Sequence, residues 1–201
     1  WHTVKLINLN PNTVYYYRCL SGSDTSEMYS FKTAPLPNST GRIRFLLFGD
    51  TQDDSVWTSR VIRKAKEKVQ QLYGADIHNQ LNLVMHTGDI VGSGSTIGQY
   101  TDQFFRPMSP LSPFVPTMIT AGNHELEHEY FYKYVKYDDV AAFPPPSILN
   151  EKFWSTRIAR VLFVGLNSNG ISQWGTIQRT WLEQKLQEAE SDSTIDFVFC
   201  F

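Results

Sequence analysis

The stretch RIRFLLFGDTQDD, residues 42–54, joins an apolar strand pattern to a short polar corner. The strand is predicted over residues 42–49, and a helix follows whose apolar residues recur with a period of about 3.6. Ser55 or Asp54 can cap the start of that helix, and Gly74 closes its end. The predicted apolar face consists of Val56, Trp57, Val61, Ile62, Ala65, Val69 and Leu72. A strand that leads into a helix is the repeating unit of an α/β domain.

The same order of strand, polar corner and helix recurs along the chain. Strands are predicted in residues 81–87 and 115–120, with a helical stretch between them that RPMSPLSP, residues 106–113, interrupts. Farther on, the pattern predicts a helix near residues 129–135, a loop at 141–150, a hairpin in 152–168, a helix at 175–190 and a buried last strand at 195–201. This alternation predicts an α/β fold with a mainly parallel core sheet.

The first residues follow a different pattern. Short alternating segments separated by Asn, Pro, Gly, Ser and Asp predict antiparallel strands of a small all-β sandwich over residues 1–34. Leu9, Pro11, Thr13 and Tyr15 resemble the tyrosine corner of fibronectin type III domains, which implies the last three strands of such a domain. Residues 35–42, rich in Pro, Ser, Asn and Gly, read as a linker, and residues 43–201 as the second domain.

Composition excludes some classes of partner. The chain has 18 basic and 20 acidic side chains among 201 residues, so its net charge of -2 provides no basic field for nucleic acid. No apolar run approaches the roughly 20 residues that span a bilayer. Cys19 and Cys200 are predicted to be buried free thiols rather than a disulfide. Both ends resemble interrupted domains, so we expect the chain to be a fragment.

Three of the predicted strands end in polar corners: GDTQDD, TGDIVGSG and AGNHE. Loops at the carboxyl ends of parallel strands meet in one crevice, so Asp50, Asp89 and Asn123 are expected to share a site. Taken alone, each corner is better explained by a turn or helix cap. Caps do not explain why each carries an oxygen ligand preceded by Gly. Two carboxylates and an amide oxygen suit divalent metal ions.

The order Gly-Asp, Gly-Asp and Gly-Asn-His-Glu resembles the metallophosphoesterase (calcineurin-like phosphoesterase) superfamily, and the preceding sandwich is most similar to its purple acid phosphatase branch. The resemblance implies an α/β/β/α fold, a β-sandwich flanked by helices. It also implies a hydrolase of phosphoric esters that uses two divalent ions, Mn, Fe or Zn, and a metal-bridging hydroxide. By this resemblance Asp50 binds the first metal, Asp89 bridges both, and Asn123 binds the second. His124 lies beside the substrate phosphate as the catalytic group, with Asn123 also contacting substrate.

Two positions depart from that family. Purple acid phosphatases have a Tyr where this chain has Gly92, so we expect a colourless enzyme with a divalent metal pair. Where the superfamily often has His, this chain has Gln52, which either coordinates a metal weakly through its carbonyl oxygen or hydrogen-bonds the loop. Three further His ligands of the family have no counterpart in residues 1–201. The fragment alone is therefore expected to bind metal poorly and to be inactive.

Several neighbouring residues allow more than one role. Glu125 either orients His124 or caps a helix. His86 is expected to be a satisfied core or outer-shell histidine rather than a ligand. His128 reads as a solvated helix position or a substrate contact. Residues 93–95 can offer backbone N–H groups to phosphate.

Two alternatives to this function remain open. One is a nucleotide or cyclic-nucleotide phosphodiesterase of the same fold. The other is a secreted or surface binding protein whose phosphoesterase domain has degenerated. The resemblance implies a location outside the cytoplasm, and the sequence does not indicate an oligomeric state.

Overall fold

The N-terminal segment forms short antiparallel strands. The computed structural model describes residues 2–125, 127–137, 151–169 and 171–201. Its first strands are β1 (Val14–Tyr17), β2 (Leu20–Ser21), β3 (Asp24–Thr25) and β4 (Tyr29–Lys32). β1 pairs with β4 and β2 with β3, all antiparallel. The Asn10 N–H donates to the Tyr15 hydroxyl over 2.8 Å, the type of bond that a tyrosine corner makes. Membership of the fibronectin type III class stays a prediction.

A parallel sheet forms the centre of the second part of the chain. Its strands are β5 (Phe45–Phe48), β6 (Leu83–His86) and β7 (Thr117–Ile119), in the order β5-β6-β7. Both strand pairs are parallel. The connections carry α1 (Ser55–Tyr73), α2 (Ile77–Gln80), α3 (Ile97–Gln99), a π-helical turn (Tyr100–Phe105) and α4 (Arg106–Met108). The predicted order of strands and helices is therefore confirmed for this sheet.

A second sheet contains the predicted hairpin. After α5 (Glu129–Tyr134) come β8 (Trp154–Ile158), β9 (Val161–Gly165), α6 (Ile171–Ser191) and β10 (Phe197–Cys200). β8 pairs antiparallel with β9, and β10 pairs parallel with β9. The loop predicted for residues 141–150 lies outside the described residues.

The two sheets pack face to face between helices. Phe45 of β5 contacts Phe163 of β9 with 5.2 Å between ring centroids. The indole N–H of Trp154 in β8 donates to the carbonyl oxygen of Ile119 in β7 over 3.0 Å. On the outer side of the second sheet, Trp181 of α6 packs on Phe153 with 4.9 Å between ring centroids. With α1 against the first sheet, the layers are α/β/β/α, as predicted.

The predicted apolar face of α1 is too wide. Asp54 caps the helix and Gly74 follows its last residue, but Val56, Trp57, Val61 and Leu72 are exposed. The buried residues of the helix are Thr58, Ile62 and Val69. These residues are four and seven positions apart, so they form one narrow stripe along the helix. Only this stripe packs against the rest of the domain.

Two further expectations need correction. Cys19 and Cys200 are free, as predicted, but both are exposed rather than buried. Cys200 lies in β10, and this last strand was predicted to be buried but is exposed, because it forms the edge of its sheet. The helical stretch between β6 and β7 ends at Met108, inside the segment 106–113 that was predicted to interrupt it.

The cap of α1 allows a direct test of its contribution. The Trp57 N–H donates to Oδ1 of Asp54 over 2.9 Å, whereas Asp76, at the start of α2, makes no side-chain cap hydrogen bond. We expect Asp54→Ala to lower the free energy of unfolding by about 1 kcal/mol. Asp76→Ala is the control, and urea denaturation is the measurement. Equal losses in the two variants would contradict this role.

Candidate metal-binding site

The three polar corners meet at one cavity. The cavity has a volume of about 600 Å³, and Asp50, Asp89 and Asn123 lie in its wall. Each follows the carboxyl end of a strand in the parallel sheet, β5, β6 or β7. Asp54 rather than Asp50 caps α1, so helix capping does not explain Asp50. The convergence expected from the sequence is therefore present.

Glycines allow these loops to approach each other. A Cβ atom on Gly88, whose φ is +100°, would lie 2.3 Å from the backbone nitrogen of Gly122. A Cβ atom on Gly122 would lie 2.4 Å from the backbone nitrogen of Asp89. Real Cβ atoms do not come so close to backbone, so any side chain at either position forces the loops apart. The Gly before Asp89 and the Gly before Asn123 are thus required by contact between their loops.

Asp89 joins all three loops. Its carbonyl oxygen accepts the N–H groups of Thr51 (3.0 Å) and Gln52 (3.1 Å) from the loop after β5. Its Oδ1 atom accepts the N–H of His124 over 2.9 Å from the loop after β7. The residue has a φ of +55°, a conformation that Asp tolerates better than most side chains. These bonds fix the carboxylate, which is only 8% exposed, at the centre of the site.

The imidazole of His124 is oriented by Gly92. Nδ1 of His124 lies 2.9 Å from the carbonyl oxygen of Gly92, so Nδ1 carries the proton and donates. This bond is the main cause that raises the pKa of His124. Asn123 belongs to the described wall of the cavity, whereas His124, the next residue, does not. A partly exposed imidazole held in this way can protonate a departing oxygen.

Glu125 has neither of the predicted roles. Its buried carboxylate accepts backbone N–H groups from the loops after β6 and β7. Burial is the main cause that raises its pKa, while the three N–H groups oppose that shift. The cap of α5 is His128 instead, whose Nδ1 accepts the Tyr130 N–H. This cap also corrects the predicted solvated helix position for His128.

Gln52 has an unsatisfied oxygen. Among the described residues, Oε1 of Gln52 and the Tyr132 hydroxyl are buried without a hydrogen-bond partner. A buried carbonyl oxygen without a donor is uncommon and calls for a ligand or a water. Gln52 does not lie in the described wall of the cavity. Metal binding by Gln52 therefore stays a prediction.

The described residues fit part of a metal shell. Carboxylate and amide oxygens are suitable ligands for divalent ions, and Asp50, Asp89 and Asn123 present them to one cavity. Within the described ranges, no group of three or more His, Cys, Asp or Glu side chains is placed to hold a metal ion. The donors present are therefore an incomplete set.

Two of the backbone N–H groups that were predicted to bind phosphate at residues 93–95 form hydrogen bonds within the protein. The Ser93 N–H donates to Oε1 of Gln99 over 2.6 Å, and the Gly94 N–H donates to the carbonyl oxygen of His124 over 2.8 Å. These donors hold the loop against its neighbours, so they do not face a ligand.

A fourth polar loop was missed in the sequence. Asn167, Ser168 and Asn169 follow β9 and line the same cavity as Asp50. Asn167 is fully buried, and its side chain donates to Oε1 of Glu127 over 3.2 Å. Asn169 donates to the carbonyl oxygen of Ala121 over 3.0 Å. The signal was available, because NSN follows an apolar strand just as the other corners do.

His86 is a neutral core histidine, as predicted. It is fully buried, Nδ1 accepts the Gly88 N–H over 3.2 Å, and Nε2 lies 2.8 Å from the Thr51 hydroxyl oxygen. Burial lowers the pKa of His86 to about 4. His86 therefore holds the loop after β5 and the loop after β6 from the side of the core.

The low pKa of His86 predicts that the protein loses stability in mild acid. In the unfolded chain His86 binds a proton near pH 6.5, whereas the folded chain resists protonation until about pH 4. The free energy of unfolding should fall as the pH decreases through that window, by about 3 kcal/mol in all. We expect His86→Gln to show a smaller slope in urea denaturation between pH 7 and 4. An unchanged slope would contradict the burial of a neutral imidazole.

The layers and the loop sequences together define the class. An α/β/β/α sandwich with Gly-Asp, Gly-Asp and Gly-Asn-His-Glu at its strand ends has the architecture of a metallophosphoesterase domain. Residues 43–200 match the family model of the calcineurin-like phosphoesterases, so the chain belongs to that family. No described helix is both long enough and apolar enough to cross a membrane.

Relatives of the chain include purple acid phosphatases. It is 29% identical over 220 residues to purple acid phosphatase 13 of Arabidopsis thaliana, covering 96% of this chain and 40% of that protein. It is 33% identical over 133 residues to probable inactive purple acid phosphatase 27 of the same plant, covering 62% of this chain and 21% of the relative. The chain thus spans less than half the length of these relatives.

A solved structure shows the same fold. The purple acid phosphatase PPD1 of yellow lupin (Lupinus luteus) superimposes with a TM-score of 0.63 at 19% identity. The match covers 96% of this chain and 36% of the lupin chain. At that identity the likeness concerns the fold alone.

Proposed function

We propose that the full-length protein hydrolyses phosphoric esters with the help of two divalent metal ions. The observation that carries the proposal is the convergence of Asp50, Asp89 and Asn123 on one cavity. Bound there, such a metal pair would supply a nucleophile at neutral pH and would stabilise the charge on the phosphoryl oxygens. The remaining ligands come from outside residues 1–201.

The resemblance to the metallophosphoesterases suggests a role for each residue. Asp50 and Asn123 would each hold one ion, and Asp89 would hold both. Gln52 is a further weak ligand through its unsatisfied oxygen. Asn123, in the cavity wall, also contacts the substrate.

His124 supplies the proton. Its Nδ1 is held by Gly92, so Nε2 is the ring nitrogen that reaches the ester. A protonated Nε2 donates to the departing ester oxygen as a general acid.

Asp89→Asn tests this proposal. The full-length protein should hydrolyse p-nitrophenyl phosphate or its bis ester with Mn²⁺, Fe²⁺ or Zn²⁺ supplied. Asp89→Asn should lose this activity, because a neutral amide cannot bridge two cations. Its Oδ1 can still accept the His124 N–H, so a folded but inactive variant is expected. Undiminished hydrolysis by the folded variant would refute the two-metal assignment.

The glycine at position 92 leads us to expect that the metal-bound protein has no purple colour. Without a tyrosine at this position, no phenolate is available there to bind ferric iron, and we expect a colourless protein. A Cβ atom at Gly92 would lie 2.2 Å from Oδ1 of Asp53, so a tyrosine fits only if Asp53 moves. A purple absorption band in the purified full-length protein would contradict this part of the proposal.

A second candidate is a binding protein with a degenerate phosphoesterase domain. The relative named a probable inactive purple acid phosphatase favours it. Binding of Mn²⁺ by the full-length protein without hydrolysis of either ester, or of nucleotide diesters, would support this candidate. Hydrolysis of cyclic nucleotides alone would favour the phosphodiesterase alternative. A location outside the cytoplasm is part of the main proposal, and fractionation of producing cells tests it.

A further inference from the structure

Glu125 is a buried carboxylate whose observed partners are all backbone groups. Its side chain is 0% exposed. Oε2 accepts the N–H groups of Asp89 (2.9 Å) and Gly122 (2.6 Å), and Oε1 accepts the N–H of Ile90 (2.9 Å). None of the ion pairs found in the described part of the chain includes Glu125. Two separate loops are therefore joined through one side chain.

A carboxylate is well suited to this task. A charged group buried away from water is costly unless several donors satisfy it, and three N–H groups converge on these two oxygens. A glutamine has the same shape, but its NH₂ group would face a backbone N–H that also needs an acceptor. The loop after β6 also lies directly on the Glu125 backbone, since a Cβ atom at Gly94 would lie 1.9 Å from the Glu125 carbonyl oxygen.

We infer that Glu125 is a positioning residue that fixes the distance between Asp89 and Asn123. It holds the backbone of Asp89 itself and of Gly122, the residue directly before Asn123. The consequence for metal binding rests on the proposed function, whereas the joining of the loops does not. Glu125 acts through these residues and does not itself touch metal or substrate.

Amide hydrogen exchange tests the joining of the loops directly. In Glu125→Gln we expect exchange to be at least about tenfold faster at those of the Asp89, Ile90 and Gly122 amides that face the new NH₂ group, because a satisfied hydrogen bond slows local opening. Exchange within α1 should not change. The matched control is Glu129→Gln, which alters an exposed residue paired with Lys133 in α5. A uniform increase over the whole fold, or no increase at the three amides, would overturn the inference.

Metal binding and kinetics test the consequence. In the full-length protein we expect Glu125→Gln to weaken Mn²⁺ binding by about 10- to 100-fold in calorimetry. It should also lower kcat for p-nitrophenyl phosphate with little change in KM, at a temperature well below Tm. A merely structural residue would lower Tm and leave the Mn²⁺ affinity of the folded protein unchanged, which would overturn the role in positioning.

These experiments distinguish failure of the proposed function from failure of the role inferred for Glu125. If the wild-type protein neither binds Mn²⁺ nor hydrolyses esters, the proposed function fails, and the exchange pattern alone decides whether Glu125 holds the loops. If Glu125→Gln does not fold, Glu125→Asp replaces it. This variant keeps the charge but is one methylene shorter, so it should lose at least one of the three bonds. The amides that lose a bond should then exchange faster than in the wild-type protein, and wild-type exchange rates at all three amides would overturn the inference.

Discussion

Gly122→Ala is expected to abolish most of the activity of the full-length protein and to destabilise its fold. The added Cβ atom would lie 2.1 Å from Oδ1 and 2.4 Å from the backbone nitrogen of Asp89. Rotation of the Asp89 side chain relieves only the first of these contacts. The second requires a backbone shift, which separates the loop that carries Asp89 from the loop that carries Asn123.

The expected magnitudes follow from that shift. Overpacking of this kind costs about 1–3 kcal/mol of stability. Displacement of a reactive group by about 1 Å lowers the rate roughly 100-fold, and here two of the proposed ligands move apart. Urea denaturation measures the loss of stability, and hydrolysis of p-nitrophenyl phosphate measures the loss of rate.

Gly98→Ala provides a matched control. No atom lies within 4 Å of a Cβ built on Gly98, which is an exposed residue of α3. This substitution should leave activity unchanged and leave stability equal or slightly higher, because Ala favours a helix more than Gly does. Should Gly122→Ala behave like this control, the close approach of the two loops would not be needed for the site.

The sequence was sufficient to predict the parts of the site that depend on local patterns. Asp50, Asp89 and Asn123 could be grouped because strand periodicity and the rule for parallel sheets place strand ends together. The cap at Asp54 and the end of α1 at Gly74 also follow from neighbouring residues alone.

The remaining features depend on contacts between distant parts of the chain. Glu125 lies next to His124 in sequence, which favoured a local role, but its carboxylate contacts residues 35 and 36 positions away. No short-range pattern encodes such a contact. The exposed half of α1 could not be predicted for the same reason. Helix periodicity does not show how much of the helix surface the sheet will cover.

Trp154→Ala is expected to cause a large loss of folding free energy. Trp154 is 0% exposed, and its ring contacts Tyr137 and Phe201 at centroid distances of 5.5 and 5.2 Å. It fills the space above Gly165, where a Cβ atom would lie 2.4 Å from the indole. Because Trp154 in β8 also donates to Ile119 in β7, it connects the two sheets.

The variant leaves a cavity between the sheets and removes that hydrogen bond. Truncation of a buried tryptophan to alanine costs about 3–5 kcal/mol, and urea denaturation measures this loss. Trp154→Phe should cost less, because it keeps most of the ring volume and loses mainly the bond to Ile119.

Trp57→Ala is the matched control. Trp57 is 61% exposed, and its described ring contact is with the guanidinium of Arg60, 4.7 Å from the ring centroid. Loss of an exposed contact of this type costs about 0.5–1 kcal/mol. If the two alanine variants lost similar stability, the packing of the sheets would not depend on Trp154. A large difference would locate much of the stability between β7 and β8, directly beneath the loop that carries Asn123.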